Sequence, residues 1–285
     1  MGVSERLEQL TWTSEREAVL GDVAFRLPDL DRAGEGASSP DSFALLKDRS
    51  IVRAYVDYWR ERPGFEAENV FEIGLWDGGS IALWHEILQP GIHVGVDIDD
   101  RRTAYFDEYA AASRRRDQIR TYWDVDQSDK QRLARIVAEN FDAPLDLVLD
   151  DGSHLYPQTR AAMEVLLPLL RPGGLYVVED WAWAHWGPEY RLHASPERAS
   201  LTRLVAELAG VVGSNPELVA GLDVRRPFFV IERGHGEAAA GLDLNRLRRW
   251  RGQGWRESPL AWTAQRYLRG SGAASARPER PRSSL

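Results

Sequence analysis

Between residues 69 and 180, short apolar runs alternate with segments whose apolar residues recur every three or four positions. The runs at 69–73, 92–98, 119–123, 146–150 and 174–180 have strand length and little internal alternation, so they predict strands buried on both faces. Helices are predicted between them, starting near Ser80 and over 103–113, 129–139 and 157–170. Strand, helix and strand in this repeated order make parallel pairs through crossovers, which predicts an α/β fold with a Rossmann-like, doubly wound sheet. Beyond it, 198–210 reads as a helix and 224–232, holding Phe228-Phe229-Val230-Ile231, as a terminal antiparallel strand.

The flanks are patterned differently. Residues 1–40 mix charged and apolar positions without sustained alternation, and 33–40 is loop-like in its Gly, Ser and Pro content. Phe43, Leu45, Leu46, Val52, Tyr55, Val56 and Trp59 recur at helical spacing after an Asp41 or Ser42 cap. Residues 1–60 therefore read as an N-terminal helical cap and 61–235 as the main domain. Residues 236–269 read as a C-terminal helical extension, with Arg246, Arg248, Arg249, Arg251 and Arg256 among Trp250, Trp255 and Trp262, and 270–285 as a disordered tail.

Composition narrows the chemistry. The 285 residues contain no cysteine, which removes disulfides, thiolate metal sites and a cysteine nucleophile, so a metal here is held by oxygen or imidazole. A net charge of −8 argues against nucleic acid as the main partner. No apolar run approaches a membrane span and the first residues lack a signal-peptide core, so a cytoplasmic protein without membrane contact is expected, with homo-oligomerisation common at this size.

Residues 69–80, Asn-Val-Phe-Glu-Ile-Gly-Leu-Trp-Asp-Gly-Gly-Ser, predict a strand, a glycine turn and a helix start, which lets backbone approach a ligand at a helix N-terminus. A dinucleotide fingerprint would place glycine at 76, where the chain has Trp, and this disfavours NAD. Glu72, Gly74, Gly78 and Ser80 are candidate contacts at this turn. Asp97 ends the next strand, where an acid bonds ribose hydroxyls, and Asp126 and Gln127 follow the third strand, near where an adenine edge would lie. A plain tight turn is the alternative.

Asp150-Asp151-Gly152-Ser153-His154 ends one strand and Glu179-Asp180 ends the next. Parallel pairing brings both ends to one sheet edge, where open α/β sheets bind ligands. Helix capping accounts for one of these acids, but not for all of them. Asp151, Glu179 and Asp180 would supply oxygens to a hard cation such as Mg2+, and His154 is placed to act as a base on a hydroxyl. Trp181, Trp183, His185 and Trp186 follow, as an aromatic acceptor surface or as packing.

Taken together, Glu-Ile-Gly-x-x-x-Gly-Gly-Ser, Asp-Gln-Ser-Asp, Asp-Asp-Gly-Ser-His and Arg-Pro-Gly-Gly-Leu-Tyr-Val-Val-Glu-Asp, within residues 69–186, resemble the class I S-adenosylmethionine (SAM)-dependent sugar O-methyltransferases. The similarity is to the Mg2+-dependent macrolide-sugar and rhamnosyl O-methyltransferase types and to cephalosporin hydroxylase-like proteins. This resemblance implies a seven-stranded sheet, SAM bound by Glu72, Gly74, Gly78, Ser80, Asp97, Asp126, Gln127 and Asp150, Mg2+ held by Asp151, Glu179 and Asp180, and His154 with Asp151 as the catalytic pair. It implies a small-molecule or oligosaccharide acceptor. The alternatives are a SAM-binding protein without catalysis and a methyltransferase for a non-sugar hydroxyl. An iron oxygenase is disfavoured, since its usual two-histidine set is absent beside the acids.

Overall fold

The computed structural model describes residues 1–28, 39–112, 115–185, 199–236 and 242–247. Seven strands form the central sheet: β5 (Asn69–Ile73), β6 (Ile92–Val96), β7 (Ile119–Tyr122), β8 (Leu145–Asp150), β9 (Leu170–Glu179), β10 (Val219–Val224) and β11 (Phe228–Arg233). They follow β1 (Thr11–Trp12), β2 (Glu17–Leu20), β3 (Val23–Arg26) and β4 (Phe43–Ala44) in the chain. The sheet order is β10-β11-β9-β8-β5-β6-β7, with β5 to β9 parallel and β11 antiparallel to both its neighbours.

Helices cover both faces, which is why the parallel strands carry apolar residues continuously. On one side, α1 (Val3–Leu7), α2 (Arg49–Arg60), α3 (Gly79–Leu88) and α4 (Ala104–Ala111) pack against Val70, Leu147, Leu149 and Val177. On the other, α5 (Lys130–Asn140), α6 (Tyr156–Leu166) and α7 (Leu201–Ser214) enclose Phe71, Ile73, Val148 and Tyr176. The short α8 (Leu244–Leu247) buries Leu244 in this second core. Among the described residues no helix is long and apolar enough to cross a membrane.

The doubly wound reading of the sequence stands, with differences at its edges. The N-terminal segment is not simply helical, because residues 11–44 contain a four-stranded sheet, β1-β2-β3-β4. Ala18, Leu20, Val23 and Phe25 alternate inward around a two-residue turn at Gly21-Asp22, a hairpin too short to register as alternation in the sequence. Helix α2 begins at Arg49 instead of near Asp41, since the Asp48 carboxylate caps it by accepting from the Ser50 and Ile51 amides, and Phe43 belongs to β4. The core is continuous across the expected boundary at residue 60. Tyr55 of α2 stacks on Phe228 of β11, with ring centroids 4.3 Å apart.

At the other end, the single strand expected over 224–232 is a pair joined at 225–227, and its outer member β10 is a half-exposed edge with a weak apolar pattern. Residues 33–38, Trp186 and residues 248–285, hence the basic tryptophan-rich segment beyond Leu247 and the tail, lie outside the described residues.

Candidate active site

The carboxyl ends of β5, β6, β8 and β9 open on one cavity of about 550 Å³, within the range of small-molecule sites. The glycine turn after β5 forms part of its wall. Gly74 has φ +90°, and a Cβ there would stand 2.2 Å from the Asp151 carbonyl oxygen, so only glycine lets the turn close on the loop after β8. Gly74 and Ser80 line the cavity, and the Ser80 hydroxyl has no hydrogen-bond partner among the described residues. Gly78 does not line it: at φ +98° it caps α3 and packs under Phe106.

Asp97 lines the cavity, and its carboxylate also braces the turn. One oxygen accepts from the Leu75 and Trp76 amides at 2.7 and 2.8 Å, the other from the Asp99 amide at 2.9 Å. Asp126 and Gln127 line the same wall. The Asp126 carboxylate is held within its own turn by the Ser128 amide and hydroxyl, each at 2.7 Å, which keeps its pKa below the ordinary carboxylate value.

Besides Gly78, two of the expected cofactor contacts do not line the cavity. Glu72 is one residue short of the end of β5, so strand alternation turns it into the helix layer and not into the cavity. It lies fully buried, 3.0 Å from His93 Nε2 on β6. Asp150, the last residue of β8, is buried behind the wall, where its two oxygens accept from Gln127 Nε2 at 2.6 Å and Tyr176 Oη at 3.0 Å. Burial pushes the Asp150 carboxyl up to about 7, against the lowering effect of these bonds.

The acids beyond the strand ends converge as the sequence suggests. Asp151, His154 and Asp180 each offer a ligand atom, and these atoms lie within 4.8 Å of one another, a spacing one cation can bridge. His154 Nε2 is 3.9 Å from Asp151 Oδ1, and its ring packs on Trp183 with centroids 4.2 Å apart. His154 and Asp180 both hold left-handed backbone, φ +54° and +52°, as does Trp76 at +55° in the glycine turn. Three of the five such non-glycine residues described therefore line this cavity, where strain is tolerated to aim side chains.

Glu179 lines the cavity beside them, but its oxygens are already engaged by side chains that the motifs did not reveal. Tyr55 Oη donates to one at 2.8 Å and Lys47 Nζ to the other at 2.9 Å. Lys47 Nζ also donates to Asp151 Oδ2 at 2.7 Å. Burial works to discharge Lys47, but Asp151 and Glu179 outweigh it and hold the ammonium charged. Burial, reinforced by the Asp151 charge, pushes both Glu179 and Asp180 above the carboxylate range, with Lys47 opposing.

Asp77 is a second contributor that the motifs did not reveal. Its carboxylate accepts from the Ala44 and Gly79 amides at 3.2 and 3.0 Å, tying the segment that carries Lys47 to the glycine turn, and burial pushes it up to about 6.

Residues 71–181 match a family described as a methyltransferase domain. The chain is 34% identical over 197 residues to the mycinamicin VI 2''-O-methyltransferase of Micromonospora griseorubida, an alignment that covers 66% of this chain and 44% of that protein. It is 38% identical over 127 residues to the 8-demethyl-8-alpha-L-rhamnosyl tetracenomycin-C 2'-O-methyltransferase of Streptomyces olivaceus, covering 42% and 30%. The chain thus spans less than half the length of these relatives. A structure of the MycE methyltransferase of mycinamycin biosynthesis, in complex with Mg and SAH, is similar with a TM-score of 0.50 at 25% identity, over 79% of this chain and 55% of that one. Residues 71–181 thus match a methyltransferase domain, and over this region the chain is similar to the sugar O-methyltransferases named above.

Proposed function

We propose that this protein methylates a hydroxyl of a sugar, on a glycosylated natural product or an oligosaccharide, using SAM with Mg2+ assistance. The observation that carries the proposal is the convergence of Asp151, Asp180 and His154 in the cavity that Gly74, Ser80 and Asp97 also line. Both groups suit the residues present. The unpartnered Ser80 hydroxyl and the close glycine turn suit a cofactor that needs polar contacts and backbone approach, and the carboxylate oxygens of Asp151 and Asp180 suit a hard cation. SAM supplies an electrophilic methyl group, and Mg2+ lowers the pKa of a hydroxyl bound beside it.

The rest falls to the chain. Asp151 and Asp180, with Glu179 beside them, would hold the cation, and His154 would take the hydroxyl proton. Leu46, Ile51, Leu155 and Trp183, which line the same cavity, receive the acceptor and exclude water. The sugar assignment draws on relatives named for methylating mycinamicin VI and a rhamnosyl tetracenomycin.

The test is release of S-adenosylhomocysteine from SAM across a panel of oligosaccharides, glycosylated polyketides and non-sugar hydroxyl compounds, each with Mg2+ and with EDTA. Turnover of sugar-bearing compounds that EDTA abolishes is the expected result. EDTA-resistant turnover removes the metal, turnover confined to non-sugar compounds removes the sugar, and SAM binding without turnover leaves a binding protein.

A further inference from the structure

We infer that Lys47 is a built-in part of the cation site: a fixed positive charge that positions Asp151 and Glu179 so that a divalent ion can bind beside it. The inference rests on the metal reading above. Its starting point is charge. Three carboxylates line one end of the cavity, and a divalent cation balances only two of them. A buried charge left unbalanced is costly, and the ammonium of Lys47 supplies the missing unit. Lys47 is 2% exposed.

Geometry decides between a partner and a competitor. The Asp151 carboxylate is divided: Oδ2 receives the Lys47 ammonium at 2.7 Å, while Oδ1 is the oxygen nearer His154, at 3.9 Å. The other acceptor of Lys47 is Glu179, whose Oε2 takes the ammonium at 2.9 Å while Tyr55 Oη holds Oε1, so the same two side chains fix where this carboxylate stands. The Asp151 carboxylate can therefore keep Lys47 on Oδ2 and offer Oδ1 to a cation beside it. Lys47 holds the Asp151 carboxylate by one oxygen, as outer partners of metal ligands do. Without it Asp151, Glu179 and Asp180 repel one another and splay.

Residue type points the same way. The chain has 36 basic residues, of which only Lys47 and Lys130 are lysine. A compact ammonium meets two carboxylates from one point, whereas the planar fork of arginine needs more room and a fixed approach. Lys47 also reaches the site from a fastened segment, since Asp77 bonds the Ala44 amide three residues earlier.

The sign of one measurement separates the two roles. Mn2+ and Mg2+ affinity is measured by titration calorimetry on wild type, K47M, K47R and D151N, with SAM affinity measured in parallel. If Lys47 positions the ligands, K47M binds the ion about 10- to 100-fold more weakly, the range found for outer partners of metal ligands, and K47R regains part of this. SAM affinity stays near wild type in both variants. Unchanged or tighter ion binding by K47M makes Lys47 a bystander or a competitor and overturns the inference, as does K47R binding no better than K47M.

Absence of ion binding by wild type overturns the metal reading and this inference together. Ion binding by wild type that D151N loses, with K47M unaffected, overturns only the role of Lys47. Should K47M fail to fold, amine acylation of wild type followed by peptide mass analysis gives the answer. Lys47 stays as protected with Mn2+ as without it if it is a partner, and becomes labelled if the ion drives it out.

Discussion

Glu72, buried inside the sheet, and the half-buried Asp151 and Asp180, just past its edge, do opposite things. Glu72 on β5 is enclosed between β6, β8 and α3, with His93 Nε2 at 3.0 Å, a distance that suits an ion pair without the alignment of a hydrogen bond. His85 of α3 lies over His93, with ring centroids 6.2 Å apart. Asp151 and Asp180 stand just beyond the ends of β8 and β9, where loops replace the helix layer and a cavity replaces packing. All three are carboxylates close to a strand end. What differs is position along the strand: one residue before the end faces the core, and one residue past it faces the cavity.

The largest effect that tests this contrast is expected at Asp151. D151N should reduce turnover by about 10³-fold while leaving SAM affinity within a few-fold of wild type, read by S-adenosylhomocysteine release and by calorimetry. Retention of most activity would remove the acid trio from the mechanism. His154 comes next. H154Q should lower kcat by about 10²-fold with little change in KM for the acceptor, as loss of a general base does.

Glu72 supplies the opposite arm. E72Q should leave SAM affinity unchanged and alter folding stability by only about 1 kcal/mol, since it changes an interior pair and not the cavity wall. A large loss of SAM affinity in E72Q would restore Glu72 to the cofactor contacts.

The smallest expected effect is on pH dependence. Burial raises Asp150 from 3.8 to about 7 and Asp77 from 3.8 to about 6, so the folded state binds more protons than the unfolded chain between these limits. Stability from these groups is present at low pH and is lost as pH rises through 6 and 7. The Tm of the metal-free protein, followed by circular dichroism, should fall by a few degrees between pH 5.5 and 8, and Asp150→Asn should flatten the slope. A rising Tm over that range would mean that other groups dominate.

The same contrast explains what the sequence could disclose. β5 and β8 are legible because apolar residues form the majority of each, and Asp151, Glu179 and Asp180 are legible because they stand at the ends of such runs. Glu72 misleads because its motif position says that it is near the turn but not which face it takes. β2 and β3 are four residues each and β10 is an exposed edge, so their patterns fall below what periodicity can resolve.

Lys47 and Tyr55 escape for another reason. They meet Glu179 across 132 and 124 positions of chain, a proximity created only by packing. The scarcity of lysine was the one signal in the sequence that marked Lys47 for attention.

The clasp at Asp77 bears on how such enzymes can be recombined. Asp77 bonds the Ala44 amide, and Gly79 lies so near the Ala44 carbonyl that a Cβ would stand 2.0 Å from its oxygen. The N-terminal segment and the glycine turn are thus keyed to each other by the Asp77 side chain and by close backbone packing at Gly79, and are not two exchangeable cassettes. A chimera that imports a foreign N-terminus to change the acceptor has to import the turn from the same parent, or it trades the new pocket for a misplaced Lys47.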